Sequence, residues 1–369
     1  MSYDTIVVGA GSSGAVIASR LSEDPNHSVL VIEAGPYYPT LKQTPEEIRR
    51  ALPRDINLNS KLLGITSPHD WAFTGRATGK NNNIPIPRGK VVGGSSAVNS
   101  SIFLRGLPED YDTWASIGND EWTYTKILPY LLSIENDLDF ESDFHNKGGP
   151  IPVTRFKKET WAVDQASFHQ ACIAKGHPHC ADLNEPNSTG VGPLPMNISS
   201  GVRWSTSIAY LQDESSKPNI SIMSESLAIR IVIKNSRAVG VEIQHKGEIT
   251  TIYGEEIILS AGAISSPQLL LLSGIGAVSE LESVGASIIH DLPGVGENLW
   301  DHPQVPITFK TKKDLRMDNR APRLQVGLKY TASGSNLRND MMIFPASFTS
   351  HAAFNNSSVP NEPNFSLIP

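Results

Sequence analysis

A chain of 369 residues is too long for one small core and implies one large domain or two interwoven ones. Its 39% hydrophobic and 19% charged content is ordinary for a soluble globular protein. A net charge of −7, with no basic run longer than pairs such as Lys157 and Lys158, argues against a nucleic-acid surface, because neutralising phosphates needs clustered cations.

Two cysteines, Cys172 and Cys180, are too few for a disulfide framework and fit a reducing compartment. Residues 1–5 lead straight into a strand-like run without a basic region or cleavage site, so no signal peptide is read and a cytoplasmic location is expected. The apolar stretch 269–272 is far short of a membrane span. With no secretory signal, the Asn-x-Ser/Thr triplets at Asn187 and Asn219 read as chance.

Residues 5–8, a short β-branched run bounded by glycine, predict a buried strand. Gly9, Gly11 and Gly14 follow in full Gly-x-Gly-x-x-Gly spacing, with Ser12 and Ser13 between them. Residues 15–21 carry the small and apolar side chains of a helix packed on a sheet. A second strand over 28–32 ends at Glu33, nineteen residues beyond Gly14.

The chemistry explains the spacing. Gly9 permits the tight turn out of the strand, Gly11 lets backbone approach a pyrophosphate, and Gly14 lets the helix lie close on the strand. The helix start then offers unpaired N–H groups and the positive end of its dipole to phosphates. Glu33, at the tip of the second strand, is placed for the hydroxyls of an adenosine ribose. All five parts fall in register, which predicts a dinucleotide-binding unit. The fingerprint does not separate FAD from NAD, and the acid disfavours NADP.

A second glycine cluster follows at Gly89, Gly93 and Gly94, continuing through Ser95, Ser96, Val98 and Asn99 to Phe103, Gly106 and Asp112. Composition alone makes it either a ligand cradle or an ordinary turn. The alternating acids Glu135, Asp137, Asp139, Glu141 and Asp143 read as a solvated face or loop, not as a paired-carboxylate site. His177, His179 and Cys180 lack the paired spacing of a zinc site and read as a loop, so no metal is expected. No Gly-x-Ser-x-Gly elbow anchors a hydrolase triad. Residues 151–197 mix helix and loop, while alternation at 307–310 and apolar 341–344 predict strands of a second sheet. The glycine and proline content fits a loop-rich α/β or α+β enzyme better than a helical bundle.

The stretch 89–112 resembles the first signature of the glucose-methanol-choline (GMC) oxidoreductases, and 262–276 resembles the second. Further matching features are Asp70 with Trp71, residues 203–207, residues 292–299, and Asp301 with His302. All stand in family order. The resemblance implies an α/β fold, α+β overall. A Rossmann-like FAD-binding domain (1–155 and 203–305) would be interleaved in sequence with a partial substrate domain (156–202 and 306–369) built on an antiparallel sheet.

It also implies FAD as the dinucleotide, and roles by position. Gly9, Gly11, Ser12, Ser13 and Gly14 would surround the pyrophosphate, with Glu33 on the adenosine ribose. Ser95, Asn99, Ser100 and Ile102 would lie along the flavin and its ribityl-diphosphate arm. The strand from Asn219 through Met223 and on to Ala228 would meet the adenine through backbone groups. Ser260 and Ala261, with Gly262, would close over the same end. Ala34, Trp71, Val91, Gly94 and Ser101 complete the expected cofactor-binding set.

Some relatives tether the flavin through a histidine in the first glycine cluster. Residues 95–99 contain none, so a noncovalent flavin is expected. The expected activity is hydride transfer from the CH–OH group of an alcohol to flavin N5, as oxidase or dehydrogenase. Alternatives are a flavin-containing hydroxynitrile lyase of the same fold, or a truncated, non-catalytic flavin-binding or interaction chain. The family's catalytic histidine is expected beyond Pro369, so no catalytic residue is assigned here, and His302 is not read as the base. The expected partners are a small-molecule alcohol and a complementary C-terminal chain or segment, with no nucleic acid and no membrane span.

Overall fold

A computed structural model describes residues 2–51, 67–76, 84–212, 217–305, 307–310, 312, 322–347 and 364–368; Pro369 lies outside them. The chain divides into two compact units: Met1–Arg49, Asn57–Asn99 and Trp204–Asp301 form the first, and Arg50–Ile56, Ser100–Arg203 and His302–Pro369 the second.

The first unit contains β1 (Ser2–Val8), α1 (Ser12–Leu21), β2 (Val29–Ile32), β3 (Ile220–Met223), β4 (Ser226–Lys234), β5 (Arg237–His245), β6 (Glu248–Leu259) and α2 (Gly262–Leu272). Its sheet has the order β3-β2-β1-β6-β5-β4. The first four strands run parallel, with Thr5 opposite both Val29 and Glu256 and Ile220 opposite Val29. β6, β5 and β4 then form an antiparallel meander.

β1 and β2 lie inside this sheet, which explains their unbroken β-branched character: both faces are covered. Ile6, Val8, Leu30 and Ile32 pack with Ile231, Val241, Ile243 and Leu269 in one core. Each such side chain, fully buried, contributes about 1.5–3 kcal/mol. α1 buries its small residues Gly14, Ala15, Ala18 and Ser19, so the helix approaches β1 and β2 closely. The strand expected to run from Asn219 to Ala228 is instead two strands. The chain turns at Glu225 (φ 51°), and β4 pairs antiparallel with β5.

In the second unit, five antiparallel strands are ordered Ile307–Lys310, Asn364–Ile368, Met341–Ser347, Val326–Tyr330 and Gly190–Pro193. The helix Val163–Ala174 lies against this sheet, and its Cys172 packs with Val191, Val326 and Leu328. Residues 100–155, expected with the nucleotide-binding part, pack here instead. Ile102 and Thr154 both bridge to Met196, and the short strand Glu135–Asp137 pairs with Ile151–Val153, which ties this stretch to the second unit's core.

The alternating acids correct the solvated-face expectation. Glu135 and Asp137 are fully buried, while Glu141 and Asp143 are exposed. On a strand, residues two apart share a face. Here that face meets Arg105, Arg155 and His145 rather than water. No helix among the described residues is long and apolar enough to cross a membrane.

Candidate functional site

Parallel α/β sheets bind ligands in the crevice outside the carboxyl ends of their strands. The first unit has a cavity of about 330 Å³ there, lined by the ends of β1 and β2 and the starts of β4 and α2.

β1 leads into Gly9, whose φ of 97° is a conformation glycine adopts without steric cost. A β-carbon on Gly9 would also stand 2.6 Å from the Ser260 carbonyl oxygen. One on Gly14 would collide with the carbonyl oxygen of Gly9, so α1 can sit on the strand end only with glycine there. α1 begins at Ser12, after Gly11 at its N-cap, with no side-chain cap and no acid in its first turn, and Ser12 and Ser13 line the cavity. The unpaired N–H groups and the positive dipole end are therefore not neutralised by the protein, which suits an anion.

Glu33 is buried at the cavity edge and accepts hydrogen bonds from the N–H groups of Ala10 (3.0 Å) and Gly35 (2.9 Å). Burial raises its pKa to about 7, against the lowering effect of those amides. A third amide, that of Ala34, also donates to this carboxylate.

The second glycine cluster meets the first directly. The Gly93 N–H donates to the Ala10 carbonyl (2.8 Å), and a β-carbon on Gly94 would stand 2.6 Å from Cα of Gly11. Gly94 and Ser95 line the cavity, and the Ser95 hydroxyl accepts the Gly89 N–H at 3.2 Å. The question composition left open is resolved by this contact: the cluster is a cavity wall.

Trp71 comes from a further wall. The Asp70 carboxylate accepts from the N–H groups of Ala72 and Arg88, both at 3.1 Å, and so fixes the segments bearing Trp71 and Arg88. Trp71 stacks on Phe73 with ring centroids 5.6 Å apart. Ala34, Ala228, Ser260 and Ala261 also line the cavity.

Of the expected cofactor residues, the structure brings Gly9, Gly11, Ser12, Ser13, Glu33, Ala34, Trp71, Gly94, Ser95, Ala228, Ser260 and Ala261 together around one cavity. Gly14 acts beneath it through packing. Val91 is not in the lining, and its side chain packs with Ile48, Ala97 and Val98. Asn99 is also outside the lining. Ser100, Ser101 and Ile102 belong to the second unit, where the Ser101 hydroxyl accepts from Arg203 Nε at 3.3 Å.

Cavity residues that sequence reasoning missed include Phe73, Arg88, Ser226, Ile264 and Gln268. Arg88 precedes the second cluster directly, and that adjacency was its only signal. The others reach the cavity through a short hairpin, the start of β4 and the first turns of α2.

Among the described residues, one group of three side chains has metal-ligand spacing: Glu135, Asp137 and His145. Protein cations already fill it. Arg105 Nη2 lies 2.7 Å from Glu135, Arg155 Nη1 lies 2.9 Å from Asp137, and Arg155 Nη2 lies 2.7 Å from Asp182. In the 177–180 loop, His179 Nδ1 meets His169 Nε2 at 3.1 Å and the Cys180 thiol donates to the Asp182 carbonyl.

Fold and site together define a dinucleotide-binding α/β unit accompanied by an antiparallel-sheet unit. The pattern of the GMC oxidoreductase family matches residues 3–304, and the chain belongs to that family. An uncharacterized GMC-type oxidoreductase of Rhodococcus erythropolis is 36% identical over 344 residues, covering 90% of this chain and 67% of that relative. The mitochondrial choline dehydrogenase of Mus musculus is 38% identical over 343 residues, covering 90% and 56%. The structure of an FAD-dependent oxidoreductase from Chaetomium thermophilum superposes with a TM-score of 0.72 at 26% identity, covering 89% of this chain and 62% of that one. The chain thus spans 67% and 56% of the lengths of these two curated relatives.

Proposed function

We propose that the chain supplies the FAD site, and part of the substrate-binding unit, of an enzyme that oxidises the CH–OH group of an alcohol. The observation that carries this reading is the backbone contact of Gly94 on Gly11 beside an uncapped, acid-free helix start. In it, the N–H groups at Gly11, Ser12 and Ser13 hold the pyrophosphate, and Glu33 accepts from the ribose hydroxyls. Ala228, Ser260 and Ala261 border the adenine end, while Ser95 and Asn99 follow the flavin arm. When bound, FAD supplies the hydride acceptor. The protein positions it and shields it from water. With no histidine among residues 95–99, the flavin is held without a covalent bond.

The group that takes the hydroxyl proton is assigned to a complementary C-terminal segment, on the same polypeptide or another. Two observations support this: the curated relatives are longer, and Leu299 and Trp300 on the first unit are 61% and 88% exposed, apolar surface that suits a covering segment. Choline dehydrogenases among the relatives support a small hydroxyl-bearing substrate. The free, buried Cys172 and Cys180 support a reducing, cytoplasmic setting.

The test is anaerobic reduction. The chain is loaded with FAD, combined with the complementary C-terminal polypeptide and given a panel of alcohols. Bleaching of the oxidised flavin band by one of them is expected. Cyanohydrin cleavage with the flavin left oxidised would replace the proposal with a lyase. Rapid alcohol oxidation by the isolated 369-residue chain would overturn the assignment of proton transfer to another segment.

A further inference from the structure

Three stretches of the first unit meet beside the start of α1, and two hydroxyls join them. The Ser96 hydroxyl donates to the Gly93 carbonyl at 2.6 Å, and its oxygen accepts the Thr206 N–H at 3.0 Å. The two side-chain oxygens are 3.1 Å apart. Because the Ser96 proton is committed to Gly93, Thr206 is the donor of that pair. The Gly11 carbonyl, 3.4 Å from the Thr206 hydroxyl, is its alternative acceptor at the outer edge of hydrogen-bond range. Thr206 is buried between Ser205 and Ser207, which are buried too. Immediately after it, Ser207–Leu211 forms a π-type turn packed on α1, a widened geometry that concentrates at functional sites.

The loop bearing Gly93 and Gly94 is also tied by the Val92 N–H to the Pro36 carbonyl (3.0 Å) and by the Lys90 N–H to the His69 carbonyl (2.8 Å), neither of which reaches the Gly11 loop. Gly93 and Gly94 have φ of 100° and 51° and lie outside the sheet ladder, with the Gly93 N–H to Ala10 as their direct tie to the fingerprint turn. Neither Ser96 nor Thr206 lines the cavity, but Gly11, Gly94 and Ser95 do.

We propose that Ser96 and Thr206 are positioning residues, a hydroxyl clasp that holds the Gly11 and Gly94 loops in register for the cofactor pyrophosphate. The inference rests on the reading of this cavity as the FAD site. A ligand that must order its own loops binds more weakly than one meeting loops already in place, so the clasp acts on affinity without touching the cofactor.

The test uses the full chain and its Thr206→Val, Thr206→Ser, Ser96→Ala and Ser96→Ala/Thr206→Val variants. FAD dissociation constants come from flavin fluorescence and ADP constants from competition, with circular dichroism to verify the fold. Loss of the Thr206 hydroxyl is expected to weaken FAD and ADP alike by about tenfold. Thr206→Ser should recover affinity to within about twofold, and the double variant should lose little more than either single change, since both break one clasp. Ser96→Ala, at a half-buried loop position, carries the test should Thr206→Val fold poorly. Wild-type FAD affinity in folded Thr206→Val or Ser96→Ala would overturn the clasp while leaving the FAD reading intact. An absence of FAD binding by the wild-type chain would overturn both.

Discussion

In the second unit, Nε2 of His145 lies 2.7 Å from Oδ2 of Asp182, and the other ring nitrogen faces carboxylates as well, 3.2 Å from Glu135 and 3.1 Å from Asp137. Three carboxylates around the ring favour its charged form. Burial alone would lower its pKa, but hydrogen bonds to Asp137, Asp182 and Glu135 outweigh that and raise it to about 11. With Arg105 and Arg155, it balances the three buried acids.

Stability should therefore depend on pH in a defined direction. The His145 pKa is raised on folding, so its contribution is complete below the ordinary histidine value of 6.5 and fades as pH rises through 11. Asp137 and Asp182 are held below the ordinary carboxylate range, so their contribution is lost as pH falls through their low folded values. Urea midpoints for the chain should drop between neutral and strongly alkaline pH. His145→Gln should lower stability by about 3–5 kcal/mol, the usual result of leaving buried charges unpaired, and should flatten the alkaline slope. A variant with the wild-type midpoint at neutral pH would contradict the charged assignment.

Gly94→Ala should cost cofactor rather than fold. The new β-carbon would press within 2.6 Å of Cα of Gly11 at a φ of 51°, a strain of about 1–3 kcal/mol placed at the cavity wall. The ratio of flavin to protein absorbance after purification should fall steeply, with the circular dichroism spectrum unchanged. Full flavin content would contradict the close approach.

Glu33 titrates near pH 7 in the free site because burial disfavours its charge. Ribose hydroxyls donating to it would favour the carboxylate, so FAD binding at pH 6–7 should release protons. Calorimetry in two buffers of different ionisation enthalpy measures that release, and Glu33→Gln should abolish it and weaken FAD by about ten- to a hundredfold. Its own effect on folding runs the other way: protonation favours the fold, and that contribution fades as pH rises through about 7.

Acid precipitation of the loaded chain should leave the flavin in the supernatant, because residues 95–99 offer no histidine for a tether. A yellow pellet would contradict noncovalent binding.

The nucleotide half of the molecule was legible because each of its parts has a local cause. The β-branched run, the glycine spacing and the acid at Glu33 lie in one continuous βαβ segment, and each needs only its neighbours to be recognised. The fate of Glu135 and Asp137 was not legible. Their alternation has the same pattern on a wet strand and on a buried one, and the difference lies in Arg105 and Arg155, distant in sequence. The break at Glu225 was missed because the residues on either side, Ile220–Met223 and Ser226–Lys234, are equally strand-like, and a left-handed glutamate gives no compositional signal. Phe73 and Gln268 reach the cavity only through tertiary folding, which periodicity does not encode.

The central claim, that the cavity between the two glycine loops is the FAD site, is tested most directly by a crystal structure of the chain with FAD. The pyrophosphate should lie on the N–H groups at the start of α1, against Gly11, Ser12 and Ser13, with the adenosine ribose on Glu33. FAD bound elsewhere, with this cavity empty, would contradict it.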